Sequence, residues 1–391
     1  MKYALLVGDG MADWPVPILN NRTPLECAQT PNMDRIVAEG TIGLVSTIPS
    51  GMQPGSDVAN LSLLGYDPAR YYSGRAPFEA ASMGIPLAAS ETAFRCNLVT
   101  IENETMIDYS AGHITTGEAQ RIISELQQNL TTDTIRFYPG VSYRHLMICR
   151  DFPEGAQCTP PHDITGKPIQ SYLPQGNGSE LLLSLMRQAR ALLPESAVNK
   201  ERRAQGKSPV TDIWLWGQGR SLSLPTITQR YGIRGSVISA VDLVRGLGVL
   251  AGLKIRLVDG ATGYLGTNYA GKIAAARAAL ETEDMVYLHV EAPDETGHEG
   301  ILDKKIQAIE EFDRHIVGEM LRYKDEVKDV RILVAPDHAT PLAIKTHSGE
   351  PVPFAICGPG ILPDKYTAFN EPEARRCSPI TGPELLDFFL K

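Results

Sequence analysis

The sequence predicts an α/β fold, in which a mostly parallel sheet has helices on both faces and carries a smaller inserted α+β domain. Short apolar runs alternate with helical patterns over residues 1–87 and again over 176–391, and such alternation is typical of a parallel sheet between layers of helices. Segment 88–175 differs, since its strand-like stretches flank one helical pattern near 117–129. We therefore predict one main domain formed by 1–87 and 176–391, with 88–175 inserted as a cap.

The predicted elements of the main domain follow the chain in order. Before the insertion they are the strand YALLVGDG, the helix TPNMDRIVAEG and the strand TIGLVSTIP. After it, helices and strands alternate: helix 178–194, DIWLWGQG, GSVISA, helix DLVRGLGVLAGL, KIRLVD, helix 271–282, MVYLHV, helix 303–323 and VRILVAP. The polar segment PESAVNKERRAQGKSP is bounded by Pro and Gly, which predicts an exposed connection. In the insertion the strand-like stretches are TAFRCNLVTI, TMIDYS, IRFYPGV and RHLMICR.

Size and composition narrow the class of protein. With 391 residues, 43% of them hydrophobic and 21% charged, the chain exceeds one usual core and has the balance of a globular protein. Its apolar runs are too short for a membrane span and its N-terminus has no signal-peptide pattern, so we expect a cytoplasmic protein. The net charge of −9 argues against a nucleic-acid partner. The oligomeric state stays open, with a homo-oligomer as one alternative.

Three aspartates share one sequence context. Asp9, Asp294 and Asp337 each follow a short apolar run rich in β-formers, namely YALLVG, MVYLHVEAP and VRILVAP. The pattern predicts that they lie at the carboxyl ends of neighbouring parallel strands, which is the edge where open α/β sheets bind ligands. An aspartate after a strand is also a common turn or helix-cap residue, so the prediction depends on what accompanies the three.

The accompanying residues predict a site for two divalent cations. Asp294 and His298 are four apart, so they share one helix face, and His347 would complete three ligands with an open position for substrate. The second cation would take the remaining donors: Asp9, Ser56, Asp337 and His338. Mixed carboxylate and imidazole ligands favour Mn²⁺ or Zn²⁺ over Ca²⁺, with Mg²⁺ as an alternative at the oxygen-rich site.

Ser56 precedes the apolar run VANLSLLG and has two interpretations. It could cap that helix, although Ala59 at the capping-box position cannot reciprocate. It could instead be a nucleophile at a helix N-terminus, where N–H groups favour a phosphorylated or ionised oxygen. We favour the nucleophile, because a cation beside Ser56 would activate its hydroxyl. The predicted chemistry is phosphoryl transfer, and Asp57 has no predicted role beyond orienting the loop.

With these fragments in this order, the chain resembles the alkaline phosphatase superfamily and, within it, the cofactor-independent phosphoglycerate mutases of the archaeal type. The resemblance runs nearly end to end, through motifs that include LLVGDGMADWP, TPNMDRIVAEG, PGSDVANLSLLGYDP, GRAPFEAASMGI, ATGYLGTNYAGK, APDETGHEG and APDHATP. It implies an alkaline-phosphatase-like fold and a phosphoserine at Ser56. It also implies the same two sets of metal ligands.

The resemblance implies a reaction as well. Ser56 would take the phosphoryl group of 3-phosphoglycerate, and the glycerate would turn over before its 2-hydroxyl takes the group back, giving 2-phosphoglycerate. A closed cap would exclude water. We expect the cap to bind the carboxylate and supply an acid/base from His113, Arg144 and His145. Arg220 and Lys272 of the main domain would clamp the phosphate.

Three alternatives remain open at this point. Bacterial members with the wording SAGHITT and FYPGVSYRH have also been proposed to be homoserine kinases, so a phosphotransferase acting on an amino-acid alcohol is the first; no nucleotide-binding loop of the G-x-x-x-x-G-K-[ST] type is present. The second is a two-metal phosphatase whose cap admits water. The third is a metal-bearing scaffold without activity, which a combined nucleophile and ligand set argues against.

Overall fold

The computed structural model describes all 391 residues and divides them into two compact units. The larger unit is formed by Met1–Tyr72 together with Ser223–Lys391, and the smaller unit by Ser73–Leu222. The smaller unit is therefore an insertion in the sequence of the larger one. None of the helices is both long and apolar enough to cross a membrane.

The chain contains 13 strands. They are β1 (Lys2–Gly8), β2 (Gly40–Ser46), β3 (Glu91–Glu102), β4 (Thr105–Asp108), β5 (Ile135–Tyr138), β6 (Arg144–Arg150), β7 (Asp212–Arg220), β8 (Gly235–Ile238), β9 (Lys254–Ile255), β10 (Met285–Val290), β11 (Val330–Ala335), β12 (Val352–Cys357) and β13 (Pro379–Thr381).

The chain also contains 16 α-helices, besides short 3-10 segments and one π-helical segment. They are α1 (Pro24–Cys27), α2 (Pro31–Ala38), α3 (Ser56–Leu63), α4 (Pro68–Tyr71), α5 (Ala76–Ser82), α6 (Thr116–Leu130), α7 (Ser179–Leu192), α8 (Ala197–Ala204), α9 (Ile227–Tyr231), α10 (Asp242–Leu250), α11 (Tyr269–Thr282), α12 (Ala292–Glu299), α13 (Leu302–Phe312), α14 (Gly318–Val327), α15 (Glu371–Ala374) and α16 (Gly382–Leu390).

The larger unit is built on an eight-stranded sheet in the order β13-β2-β12-β11-β1-β10-β8-β9. Strand β12 runs antiparallel to both of its neighbours, and every other pair is parallel. The central strands β1, β10 and β11 are buried along nearly their whole length, as expected of parallel strands covered on both faces. The predicted α/β class is confirmed.

Apolar helix faces complete the core of the larger unit. One cluster joins the central strands to α2, α11, α13 and α14. Helices α13 and α14 correspond to the single helix predicted over 303–323; the structure separates them by a π-helical segment over Asp313–Val317. In that segment the Asp313 carboxylate accepts hydrogen bonds from the backbone N–H groups of Asn32 and Met33 at 3.3 and 2.7 Å. The segment thereby fixes the start of α2.

The smaller unit is an antiparallel sheet with helices. Strand β3 pairs with β7, β6 and β4, and β5 pairs with β6. Helix α6 begins with a capping box, in which Thr115 and Glu118 bond to each other's backbone N–H groups, and it buries Ile122 and Leu126 in the same cluster as Trp214 of β7. The α+β character predicted for the insertion is therefore present.

The bounds of the insertion differ from the predicted 88–175. Strand β7, which the sequence assigned to the main sheet, pairs instead with β3 from Thr92 to Val99, and α7 packs against β7 in one core cluster. The residues that the prediction left as an exposed connection form α8, where Asn199 and Arg202 are buried. The Asn199 side chain bonds to the backbone of Leu193 and Val210. These buried polar contacts, invisible to a hydropathy pattern, tie the segment to the smaller unit.

Candidate active site

The carboxyl ends of three adjacent strands bring the predicted aspartates together. Strand β1 lies between β10 and β11, with Gly8 opposite Val290 and Val7 opposite Ala335. Asp9 follows β1, Asp337 follows β11, and Asp294 lies in the first turn of α12, just after β10. The three side chains are buried, with exposed fractions of 5% or less. The edge predicted from the sequence is thus the edge that the fold forms.

One predicted ligand group is Asp294, His298 and His347. His298 Nε2 lies 3.2 Å from Asp294 Oδ2 and 3.1 Å from His347 Nε2. His347 Nε2 lies 3.5 Å from Asp294 Oδ1. The ligand atoms of all three residues fall within 4.8 Å of one another. Asp294 is buried and the two imidazoles are partly exposed, so the group has one side open to a small molecule.

The other predicted group is centred on His338. Its Nε2 atom lies 3.1 Å from Ser56 Oγ, 3.4 Å from Asp9 Oδ1 and 3.5 Å from Asp337 Oδ2. Ser56 is the first residue of α3 and is half-buried, whereas His338 is fully buried. Helix α3 has no side-chain cap at its start, so the serine hydroxyl is not used as a helix cap. It faces the imidazole and carboxylate groups instead.

The electrostatics of these groups call for a cation. Burial, and then the carboxylates of Asp337 and Asp294, raise the pKa of Asp9 well above its ordinary value. Burial also opposes ionisation of Asp294, but hydrogen bonds from His298 and His347 outweigh it and hold the pKa of Asp294 well below the usual range. Burial would lower the pKa of His298, yet the Asp294 carboxylate raises it to about 9. In the metal-free protein, a proton on His298 thus balances the negative charge of Asp294, which a bound metal ion would otherwise balance.

The donor set fits divalent cations. It consists of carboxylate oxygens and imidazole nitrogens, the ligands that Mn²⁺ and Zn²⁺ accept. Asp9 Oδ1 is buried without a hydrogen-bond partner, and a buried anionic oxygen in that state is costly unless a cation lies beside it.

Backbone and amide groups hold Asp337 in position. Its Oδ1 accepts hydrogen bonds from the N–H groups of Gly10 and His338 at 3.1 and 2.9 Å. Its Oδ2 accepts one from Asn60 Nδ2 at 2.7 Å. Gly10 has φ +59°, and a Cβ there would lie 2.6 Å from Asp294 Oδ1. Gly10, the second glycine of the sequence GDG, is therefore required both by its positive φ and by the space that Asp294 occupies.

A buried ion pair braces the loop behind the ligands. Lys305 Nζ lies 2.8 Å from Asp13 Oδ2 and donates a hydrogen bond to the carbonyl of Thr340 at 2.6 Å. The Thr340 hydroxyl in turn donates to Asp294 Oδ1. Lys305 and Asp13 are at most 2% exposed. The pair therefore fixes the segment that carries His338 and orients a predicted metal ligand.

Replacing Lys305 by methionine is expected to destabilise the larger unit by about 3–5 kcal/mol, because Asp13 would stay buried without its counter-charge. The neighbouring change Lys304→Met is the matched control. Lys304 pairs with Glu299 at the surface, where solvent screens the charges and such pairs contribute little to stability. Urea unfolding of both variants measures the difference, and equal midpoints would contradict the role assigned to the buried pair.

Two predicted phosphate clamps lie elsewhere than expected. Arg220 is at the end of β7, in the smaller unit, and not in the main domain; it is exposed and pairs with Glu154 at 2.9 Å. Lys272 is 1% exposed, and its Nζ donates a hydrogen bond to the backbone carbonyl of His289 at 2.9 Å. Burial lowers the pKa of Lys272 to about 8. Lys272 is thus engaged inside the larger unit and not presented as a free clamp.

The three cap residues have different surroundings. Arg144 and His113 are exposed; His113 has φ +48°, in a loop that Asp108 stabilises by accepting bonds from Ser110 and Gly112. His145 is instead buried, and its Nδ1 accepts a hydrogen bond from the N–H of Gly140 at 2.9 Å. Burial lowers the pKa of His145 to about 3. This position does not suit the acid/base role that the sequence suggested for His145.

Two further residues were not predicted. His289 lies within β10, fully buried, with Nε2 3.0 Å from Asp9 Oδ2; its signal was a single histidine in the apolar run MVYLHV. Arg95 lies within β3 at 5% exposure, 3.2 Å from Glu79 Oε2 and over the Trp216 ring. Burial lowers the pKa of Arg95 to about 10. An arginine in the apolar run TAFRCNLVTI was the corresponding signal.

Comparison with known proteins identifies the family. The sequence model for 2,3-bisphosphoglycerate-independent phosphoglycerate mutase matches residues 38–199. Proteins with that name are 53% identical in Methanosarcina mazei over 358 residues, covering 91% of this chain and 90% of the relative, and 34% identical in Ignicoccus hospitalis over 407, covering 100% and 97%.

Solved structures agree with the sequence comparison. The cofactor-independent phosphoglycerate mutase of Thermoplasma acidophilum is 26% identical, with TM-score 0.66 and coverage of 100% of this chain and 99% of the other. A protein from Pyrococcus horikoshii is 29% identical, with TM-score 0.83 and coverage of 100% and 96%. Because relatives above 50% identity extend over most of this chain, it belongs to the family of 2,3-bisphosphoglycerate-independent phosphoglycerate mutases.

Proposed function

We propose that the protein is a metal-dependent phosphoglycerate mutase that interconverts 3-phosphoglycerate and 2-phosphoglycerate through phosphoserine at Ser56. The observation that carries the proposal is the placement of Ser56 Oγ 3.1 Å from His338 Nε2, at a sheet edge lined by three buried aspartates. Curated relatives up to 53% identical carry the mutase name, which supports the substrate. Two divalent cations, Mn²⁺ first, are part of the proposal.

The residues of this chain supply the positions for the reaction. A divalent ion held by the aspartates and histidines would neutralise phosphoryl charge and lower the pKa of the serine hydroxyl. Ser56 Oγ attacks phosphorus, and the bond from phosphorus to the 3-oxygen of glycerate breaks. The 2-hydroxyl of the same glycerate then attacks the phosphoserine, and Ser56 leaves. Ser56 is the first residue of α3, so a phosphoryl group on Ser56 would lie near the unpaired N–H groups of the helix N-terminus.

Retention of glycerate between the two steps decides whether the enzyme is a mutase or a phosphatase. We propose that Arg144, an exposed guanidinium on β6, binds the glycerate carboxylate in a bidentate manner. It pairs in register with Asn97 of β3, two residues from Arg95. His113 is the proposed acid/base. His145 has no part in the proposal, because its ring is inside the smaller unit.

Arg144→Ala is expected to lower mutase activity about 10- to 100-fold, the loss of a charge-assisted hydrogen bond worth about 1.5–3 kcal/mol. It should also raise the share of phosphate released to water, since glycerate would escape before the second transfer. Arg150→Ala is the matched control, because Arg150 is exposed at the other end of β6. Coupled mutase and phosphate-release assays on the same preparations measure both effects. Unchanged partition in Arg144→Ala would remove the carboxylate role.

One experiment tests the function itself. Purified protein with Mn²⁺ is assayed in parallel on 3-phosphoglycerate, on ATP with homoserine, and on 3-phosphoglycerate for free phosphate. Formation of 2-phosphoglycerate in large excess over phosphate is the expected result. ATP-dependent phosphorylation of homoserine without mutase activity would replace the proposal by a kinase, and phosphate release without mutase activity would replace it by a phosphatase.

A further inference from the structure

A second histidine, besides the predicted ligand His338, lies close to the Asp9 carboxylate. His289 is the fifth residue of β10, pairs in register with Val7 of β1, and has no solvent exposure. Its Nε2 atom lies 3.0 Å from Asp9 Oδ2. Asp337 completes the group, since the ligand atoms of Asp9, His289 and Asp337 all lie within 4.8 Å of one another. The group is distinct from the one that combines Asp9, Asp294 and His338.

The approach of His289 to Asp9 is not an ordinary hydrogen bond. Although His289 Nε2 lies 3.0 Å from Asp9 Oδ2, it is buried without a hydrogen-bond partner, and so is the other carboxylate oxygen, Asp9 Oδ1. Two unpartnered groups, an anionic oxygen and an imidazole nitrogen, are costly in the interior unless something lies between them. A cation that receives both lone pairs would satisfy them together.

The other ring nitrogen has a partner suited to a metal-binding histidine. Nδ1 of His289 lies 3.3 Å from Ser239 Oγ, which also accepts the N–H of Val241 at 2.9 Å. A hydroxyl oxygen has two lone pairs, so it can accept the Nδ1–H as well. That bond would leave Nε2 with its lone pair directed at Asp9 and Asp337. Metal-binding histidines commonly donate their second N–H in this way.

We propose that His289 Nε2 is a ligand of the second cation, together with Asp9 and Asp337. The inference rests on the proposed two-metal function but adds a residue that neither the sequence motifs nor the family resemblance assigned. His289 would thus join the predicted ligands of this cation rather than replace one of them. His338 keeps its predicted place in the set, since its Nε2 lies 3.4 Å from Asp9 Oδ1 and 3.1 Å from Ser56 Oγ.

Metal stoichiometry tests the proposal without relying on activity. Metal-free wild-type protein and variants are titrated with Mn²⁺ by calorimetry, with bound metal checked by elemental analysis. His289→Asn keeps a polar atom near Nδ1 for Ser239 but has none at the Nε2 position, whereas His289→Gln reaches that position. The control His315→Asn removes an exposed histidine that stacks on Tyr269 outside the site.

We expect wild type and His315→Asn to bind two ions tightly and His289→Asn to bind only one tightly. The second ion should bind His289→Asn at least about 100-fold more weakly, because loss of an outer-shell partner alone costs about 10- to 100-fold in metal affinity. His289→Gln should recover part of that affinity. Retention of the remaining ion at Asp294, His298 and His347 would show that His289→Asn is folded. Two tight ions in His289→Asn would overturn the inference and leave the proposed function intact, whereas no tight ion in wild type would overturn both.

Discussion

Replacing Ser56 by alanine is expected to lower mutase activity by at least about 10⁴-fold, the scale on which enzymes lose rate when a nucleophile is removed. The loss should not come from unfolding. Ser56 Oγ contacts His338 and caps no helix, and the other predicted metal ligands remain. Bound metal and the unfolding midpoint should therefore stay close to those of wild type, while turnover disappears.

The matched control for Ser56→Ala is Ser50→Ala, an exposed serine in the same loop. Intact-mass measurement after brief incubation with 3-phosphoglycerate gives a second readout: wild type and Ser50→Ala should carry one phosphoryl group, and Ser56→Ala none. Turnover in Ser56→Ala, or a phosphoryl group on that variant, would remove Ser56 as the nucleophile.

The position of the site was predictable because it follows from strand direction. Aspartates that come directly after buried runs meet at one edge if the strands are parallel and adjacent, and β1, β10 and β11 are both. That Asp294 and His298 lie on one face of α12 could be predicted from the helical period alone, because they are four residues apart. His347, nine residues beyond His338, joins them because the backbone of Ser348 bonds to Ala339, a contact that no local pattern encodes.

The bounds of the insertion could not be read from the alternation of elements. Strand β7 has the apolar character of a main-sheet strand, and only its pairing with β3 assigns it to the smaller unit. Pairing between distant strands depends on the whole topology and not on the strand's own sequence. The same limit applies to α8, whose polar sequence hides a buried Asn199 that bonds to the chain on both sides.

The roles of individual histidines could not be predicted from the sequence either. His145 and His289 each stand in an apolar strand, and both are buried. What separates them is the partner: His145 accepts a backbone N–H, whereas His289 faces two carboxylates. A sequence gives the residue type but not the charges across the sheet, so a buried structural histidine and a candidate ligand have the same local pattern.

Removal of divalent metal is expected to abolish activity and to destabilise the larger unit. Asp9, Asp294 and Asp337 are buried close together, and burial, followed by repulsion from the other two carboxylates, raises the pKa of Asp9. An ion that binds only the folded state adds about 2.7 kcal/mol at 100 times its dissociation constant. Chelator-treated protein should thus lose turnover and unfold at a lower temperature, and Mn²⁺ should restore both. Full activity with metal shown to be absent would contradict the two-metal proposal.

The pH dependence of Mn²⁺ binding tests the same proposal through His298. In metal-free protein the Asp294 carboxylate raises the pKa of His298 to about 9 against the desolvation that opposes it, so the imidazole carries a proton at pH 7. An imidazole binds a metal ion only after losing that proton. Apparent affinity should therefore rise about tenfold per pH unit from pH 7 up to about 9 and then level off. His298→Ala should flatten this part of the profile, whereas the control His315→Ala should not. A flat profile in wild type would show that Mn²⁺ does not displace a proton from His298.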